Sequence, residues 1–213
     1  MDLCVDVYTE YKRQHNAEPT IDEFGQKREE VIGRIFRYLD AAGDDAAKDM
    51  LEYLCVLNVW TDEIAIDIGG QALHNFSRNT YKRVKNFSFI ESDLIEDDDI
   101  SFTVHNFDRT IQSIIIADCD EKLIADVKAA TDEYFQNFFA DKETFDAKEI
   151  FYLKVWANFI VRFADDAETL REQYDDKLKK CVDALIDHAN FDAAEEILQL
   201  FISKLDSLGG ANS

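Results

Sequence analysis

The sequence has little glycine and almost no proline: 7 Gly and 1 Pro in 213 residues. Proteins built from many tight turns need far more of both, so a loop-rich β protein is excluded. Long apolar runs are missing too. Stretches such as Ile114 to Ala117 fall far short of the ~20 residues that a membrane-spanning helix requires. Met1 to Asn16 carries Asp2, Asp6, Glu10 and Lys12 where a signal peptide would place its apolar stretch. Positive charge is scarce: against 45 Asp and Glu stand only 23 Lys and Arg, a net charge of −22. Such a field repels phosphate at long range and argues against non-specific binding to nucleic acid or anionic membrane. A local basic patch acts only within about one Debye length, ~8 Å. Cys4, Cys55, Cys119 and Cys181 are widely separated, without a CxxC pair or metal-ligand spacing, and Cys55 and Cys119 sit in apolar helical patterns. They read as reduced, mostly buried thiols of a cytoplasmic protein.

What remains is a chain that is 46% apolar and 12% aromatic, enough for a real core and therefore globular and mainly helical. Asp2 to Gln14 places Leu3, Val7 and Tyr11 at helical spacing. After Pro19, Thr20 and Glu23 form a capping pattern. A helix is expected over Glu29 to Leu39, and a second over Ala46 to Leu57 with the stripe Met50, Leu51, Leu54, Cys55 and Leu57. Asn58 to Trp60 reads as a break. Thr61 then caps a helix containing Ile64, Ile66 and Ile68, which Gly69-Gly70 ends or kinks.

Ser77 is the expected cap of a helix over Asn79 to Lys85. The period then changes: Phe87 and Phe89, and Ser101, Phe102 and Val104, form two extended runs around an acidic turn from Glu91 to Asp99, a β-hairpin with a charged tip. Asn106 is placed to cap a further helix with Ile111, Ile114 and Ile115. From Asp120 onward the pattern is helical throughout, over Glu121 to Phe139, Ala147 to Phe163, Glu168 to His188 and Phe191 to Leu208. In the last two, Ala184, Phe191, Ala193, Ala194 and Leu198 suit two interlocking antiparallel helices joined at Ala189-Asn190, a tetratricopeptide-type pair whose apolar face still needs a neighbour. The expected organisation is a helical connector over 1–27, a winged-helix domain over 28–117, and an all-helical, tetratricopeptide-like domain over 118–213 that continues past Ser213.

Most catalytic signatures are missing: no GxxxxGK[ST], GxGxxG, GxSxG or HExxH occurs. His15, His74, His105 and His188 stand isolated, so a zinc site would have to be assembled from distant neighbours, and no metal is expected. Paired carboxylates carry no information where about one residue in five is acidic. The acidic tip, Glu91, Asp93, Glu96, Asp97, Asp98 and Asp99, lacks the ligand spacing and mid-loop Gly of an EF-hand, and its charge counts against a wing that reads DNA. One basic patch stands out, Arg78, Lys82, Arg83 and Lys85. It either docks on nucleic acid or pairs with the surrounding carboxylates or another domain.

His105, at the end of a predicted strand and just before a predicted helix start, would aim its imidazole at a junction that favours an anion, or hydrogen-bond a neighbouring backbone group. The order of helices, Leu54-Cys55-Val56-Leu57-Asn58-Val59-Trp60, Phe87-Ser88-Phe89-Ile90-Glu91, and Val104-His105-Asn106 with Arg109 together resemble the winged-helix domain of STAND NTPases over about Glu29 to Phe139. These are signal-transducing ATPases that include apoptosome scaffolds, plant resistance proteins and bacterial regulators with tetratricopeptide sensors.

The resemblance implies that His105 belongs to an "MHD" motif and contacts the phosphates of bound ADP in the full-length protein. Val104 takes the Met position, and Asn106 replaces the Asp, bringing no charge. It implies a P-loop domain before Met1, so that ADP or ATP is a cofactor of the parent and not of this chain. It also implies a non-catalytic region whose partners are proteins or other domains of the same chain; the net charge and the short apolar runs leave no membrane and little role for nucleic acid. Two alternatives stand beside it: a free-standing tetratricopeptide-like scaffold without nucleotide linkage, and a winged-helix DNA-binding regulator using Arg78, Lys82 and Arg83.

Overall fold

The computed structural model describes residues 12–13, 33, 43–87, 89–97, 100–107, 112, 115–117 and 119–210. The expected helix around Leu3 to Tyr11, the Thr20 capping pattern, most of the Glu29 to Leu39 helix, and Arg109, Ile111 and Ile114 lie outside these residues. The chain is mainly helical with one small antiparallel sheet. It divides into two compact units, residues 1–95 with 103–130, and 96–102 with 131–213.

In the first unit, Asp44 caps helix α1 (Asp45–Leu57) by accepting from the Ala47 N–H. Its residues from Met50 to Leu57 are all buried, Glu52 included, so the helix is enclosed and not merely striped. Asn58, at φ 74°, then turns the chain into strand β1 (Val59–Trp60). With ψ at −57°, these angles are those of a γ-turn, a conformation rare for any residue with a side chain. The expected break at Asn58 to Trp60 is thus half a strand: β1 pairs antiparallel with the chain nearly fifty residues later, Trp60 opposite His105 and Val59 opposite Asn106.

Thr61 caps helix α2 (Asp62–Ala72) through the Ile64 N–H, as its position predicts. The helix runs through Gly69-Gly70 without ending there. Gly69 instead makes room for a neighbouring side chain, since a Cβ at this position would come within 2.5 Å of the Phe76 ring. Ser77 caps helix α3 (Arg78–Val84). Strands β2 (Ile90–Asp97) and β3 (Ile100–Phe107) complete a sheet of order β1-β3-β2.

Two expectations fail here. The acidic run Glu91 to Asp97 is strand and not turn, because β2 is an edge strand whose side chains mostly face water, where charge is tolerated and discourages pairing with other chains. Asn106 does not cap a helix, because β3 continues through it to Phe107 under the demand of its pairing with Val59. Trp60 of β1, Phe107 of β3 and Phe89 pack as a buried aromatic cluster, with centroids 5.4 Å (Trp60–Phe107) and 6.1 Å (Phe89–Phe107) apart.

Helix α4 (Glu121–Phe139) has the extent that its period predicts. In the second unit Phe135 and Phe139 stack on Trp156 of helix α5 (Ala147–Arg162), at 5.7 and 5.9 Å between centroids. A reciprocal capping box of Asp146 and Glu149 starts α5. The single helix expected over Glu168 to His188 is instead three pieces: α6 (Ala167–Gln173), a π-helical turn (Tyr174–Leu178) and α7 (Lys179–Asp187). The turn inserts one residue into the helical register and brings Tyr174 edge-on to Phe201. Ala189, at φ 63°, makes the link to helix α8 (Phe191–Gly210), which packs on α5 and α7. Ala193 and Ala194 are buried in this pair as their size suggests, whereas Phe191 is 60% exposed and takes no part in it. No helix among the described residues is long and apolar enough to cross a membrane.

Candidate functional site

The first unit brings five polar side chains together, three of them around the carboxylate of Asp62 and the fifth, Ser92, on the far side of His105. Asp62 is the first residue of α2, placed by the Thr61 cap; Tyr81 comes from the middle of α3 and Lys85 caps its C-terminal end; His105 comes from the central strand and Ser92 from the edge strand beside it. Lys85 Nζ donates to both Asp62 oxygens at 2.8 Å. The Tyr81 hydroxyl donates to Asp62 Oδ1 at 2.5 Å, and His105 Nε2 lies 3.1 Å from the same oxygen. On the other side of the ring, Ser92 Oγ is 2.7 Å from Nδ1.

This geometry fixes the tautomer. An ionised carboxylate only accepts, so Nε2 carries the ring proton and donates a hydrogen bond to Asp62, and neutral His105 accepts a hydrogen bond from the Ser92 hydroxyl at Nδ1. The order Ser92, His105, Asp62 is hydroxyl, imidazole, carboxylate in a line. Its electrostatics do not favour proton abstraction from Ser92. His105 is 4% exposed, and burial pulls its pKa below the ordinary value, with the Asp62 charge opposing and the Lys85 ammonium assisting that fall. Asp62 is already shared between a cation and a phenol. Partial burial works to raise its pKa, but the hydrogen bonds from Lys85 and Tyr81 outweigh it and hold the carboxyl below the usual range. The Tyr81 hydroxyl is pushed well up by burial and by the facing carboxylate, so it stays a donor. The result is a fixed relay of hydrogen bonds spanning two helices and two strands.

Of the predicted site residues, the fold brings His105 and Lys85 together on Asp62 and leaves the other three apart. Arg83 pairs with Asp44 at 2.6 Å. Arg78 and Lys82 are exposed and form no ion pair with the described residues. Two of the four cations of the basic patch are therefore neutralised within the unit, by the pairing with neighbouring carboxylates that the charge balance allows. Sequence reasoning missed Asp62, Tyr81 and Ser92. An Asp at the first position of a helix is explained by the helix dipole alone, and the three lie 43, 24 and 13 residues from His105 in sequence, so no local spacing announces them.

Among the described residues no group of three or more His, Cys, Asp or Glu side chains is arranged to hold a metal ion. Cys55 and Cys181 are buried, while Cys119 is half-exposed in a bend and not within a helix. Burial pushes the Cys181 thiol up to about 11. Neither protein-family models, nor curated proteins, nor solved structures show a significant match to the chain.

Proposed function

We propose that the chain is a non-catalytic regulatory and protein-interaction region of a STAND-type signal-transducing ATPase, a winged-helix unit followed by a tetratricopeptide-like helical unit. The observation that supports this best is the element order α1-β1-α2-α3-β2-β3 with sheet order β1-β3-β2. A winged helix has the same succession of helices and strands, and here His105 occupies its last strand. In this reading the nucleotide is held by a P-loop domain of the parent, His105 contacts the ADP phosphates in the closed state, and the helical unit takes protein partners or packs on other domains. A partner then shifts the closed and open populations by the difference in its affinity for them.

The partly neutralised patch weighs against the DNA-binding alternative, because Asp44 and Asp62 engage Arg83 and Lys85, and of the four cations Arg78 and Lys82 are the exposed ones that form no ion pair with the described residues. The reading frame around the chain tests the proposal. It predicts a GxxxxGK[ST] segment upstream of Met1 and further helix pairs downstream of Ser213. Stop codons shortly before and after the chain would overturn it in favour of a free-standing helical scaffold.

A further inference from the structure

Three donors of unlike chemistry converge on Asp62: an ammonium, a phenol and an imidazole N–H. Such a set, one full charge and two directed hydrogen bonds, is what binds an oxyanion of a phosphate group. Here the acceptor position is filled from within the chain. The occupant is displaceable: the Asp62 side chain is 53% exposed and sits at the first position of α2, so rotation about its own bonds carries the carboxylate into solvent without moving the helix. The donors are better held. The His105 side chain is 5% exposed and Tyr81 is buried, so packing holds both when the carboxylate leaves, and the Lys85 side chain, 21% exposed, lies with its Nζ 5.5 Å from the centroid of the Tyr81 ring.

We infer that Asp62 is an internal competitor for the oxyanion that the proposed function assigns to His105, so that a phosphate-class ligand binds Lys85, Tyr81 and His105 only by displacing it. This rests on that reading for the identity of the ligand and not for the donor set. Its consequence is weak, reversible phosphate binding. With Asp62 in place the site carries no net charge, and a bound phosphate faces a carboxylate of its own sign a few ångströms away; without Asp62 the site is cationic.

The test uses the whole 213-residue chain and inorganic pyrophosphate, titrated calorimetrically at low ionic strength, in wild type, Asp62→Ala and Asp62→Asn. Both variants are expected to bind pyrophosphate about tenfold more tightly than wild type or better, and Lys85→Met added to Asp62→Ala is expected to abolish the gain. ADP titrated in parallel separates the sources: equal affinity identifies the phosphate groups as the whole ligand, and tighter ADP binding identifies a nucleotide, either supporting the site. Binding no tighter than wild type in variants that keep their helical circular dichroism overturns the inference. So does unfolding of both variants, which would make Asp62 a structural anchor. Failure here, with ADP still lost from a full-length His105→Ala protein, would remove the role of Asp62 alone; tighter pyrophosphate binding here, with ADP retention unaffected by His105→Ala, would remove the reading and leave the site.

Discussion

His105 and Asp62 stand 43 residues apart in sequence and meet at 3.1 Å, Nε2 to Oδ1, where the central strand passes the start of α2. The contact ties β3 to α2, and Lys85 and Tyr81 extend the tie to α3. One carboxylate thereby links the helical layer to the sheet.

That contact has a pH signature. The folded protein holds His105 below its ordinary pKa of 6.5 because burial disfavours the imidazolium. Between the folded and the unfolded value the unfolded chain binds a proton that the folded chain does not, so stability is fully present above 6.5 and declines as pH falls through that window. Urea midpoints measured from pH 7.5 down to 5.5 should decrease, and His105→Gln should flatten the decrease. A wild-type midpoint that rises as the solution is acidified would show the sign to be wrong.

The close approach at Gly69 predicts a steric cost. An added Cβ would lie 2.5 and 2.6 Å from two Phe76 ring carbons and 3.1 Å from a ring carbon of the buried Tyr53. Gly69→Ala should destabilise the first unit by about 1–3 kcal/mol despite the better helix propensity of alanine. Combining it with Phe76→Leu should recover part of the loss. An unchanged thermal midpoint for the single variant would contradict the packing.

In the second unit Asp132 accepts from the Trp156 indole N–H at 3.1 Å and from Lys177 Nζ at 2.6 Å. Asp132→Ala strips both donors of their partner, and Trp156 is only 1% exposed, so water does not replace it there. The expected cost is about 1–3 kcal/mol, with a smaller one for Asp132→Asn, which still offers an oxygen. The Trp156 fluorescence midpoint in denaturant reads it. Equal midpoints for wild type and Asp132→Ala would mean that the hydrogen bonds contribute nothing.

What the sequence made legible was decided by local chemistry. Thr61 and Ser77 announce their helices because a cap is a relation between a residue and another three positions away. Glu121–Phe139 follows from its own period. The two-residue strand Val59–Trp60 has no period to read and exists because β3 supplies its hydrogen bonds. Acidic β2 contradicts strand propensity, and only its place at the sheet edge makes it tolerable. The π-helical turn at Tyr174 to Leu178 interrupts a sequence that reads as continuous helix. At the site, His105 and Lys85 were visible as residues, but the carboxylate that joins them was not, since its partners come from other elements far along the chain.

The central claim, a nucleotide-linked regulatory region, is tested most directly by the nucleotide content of the longest native polypeptide that contains this chain, purified as wild type and as His105→Ala. The account predicts that wild type retains about one ADP per chain and that His105→Ala loses it, with a rise in basal activity. A wild-type protein without bound nucleotide, or a His105→Ala protein that retains ADP as well as wild type does, would contradict it.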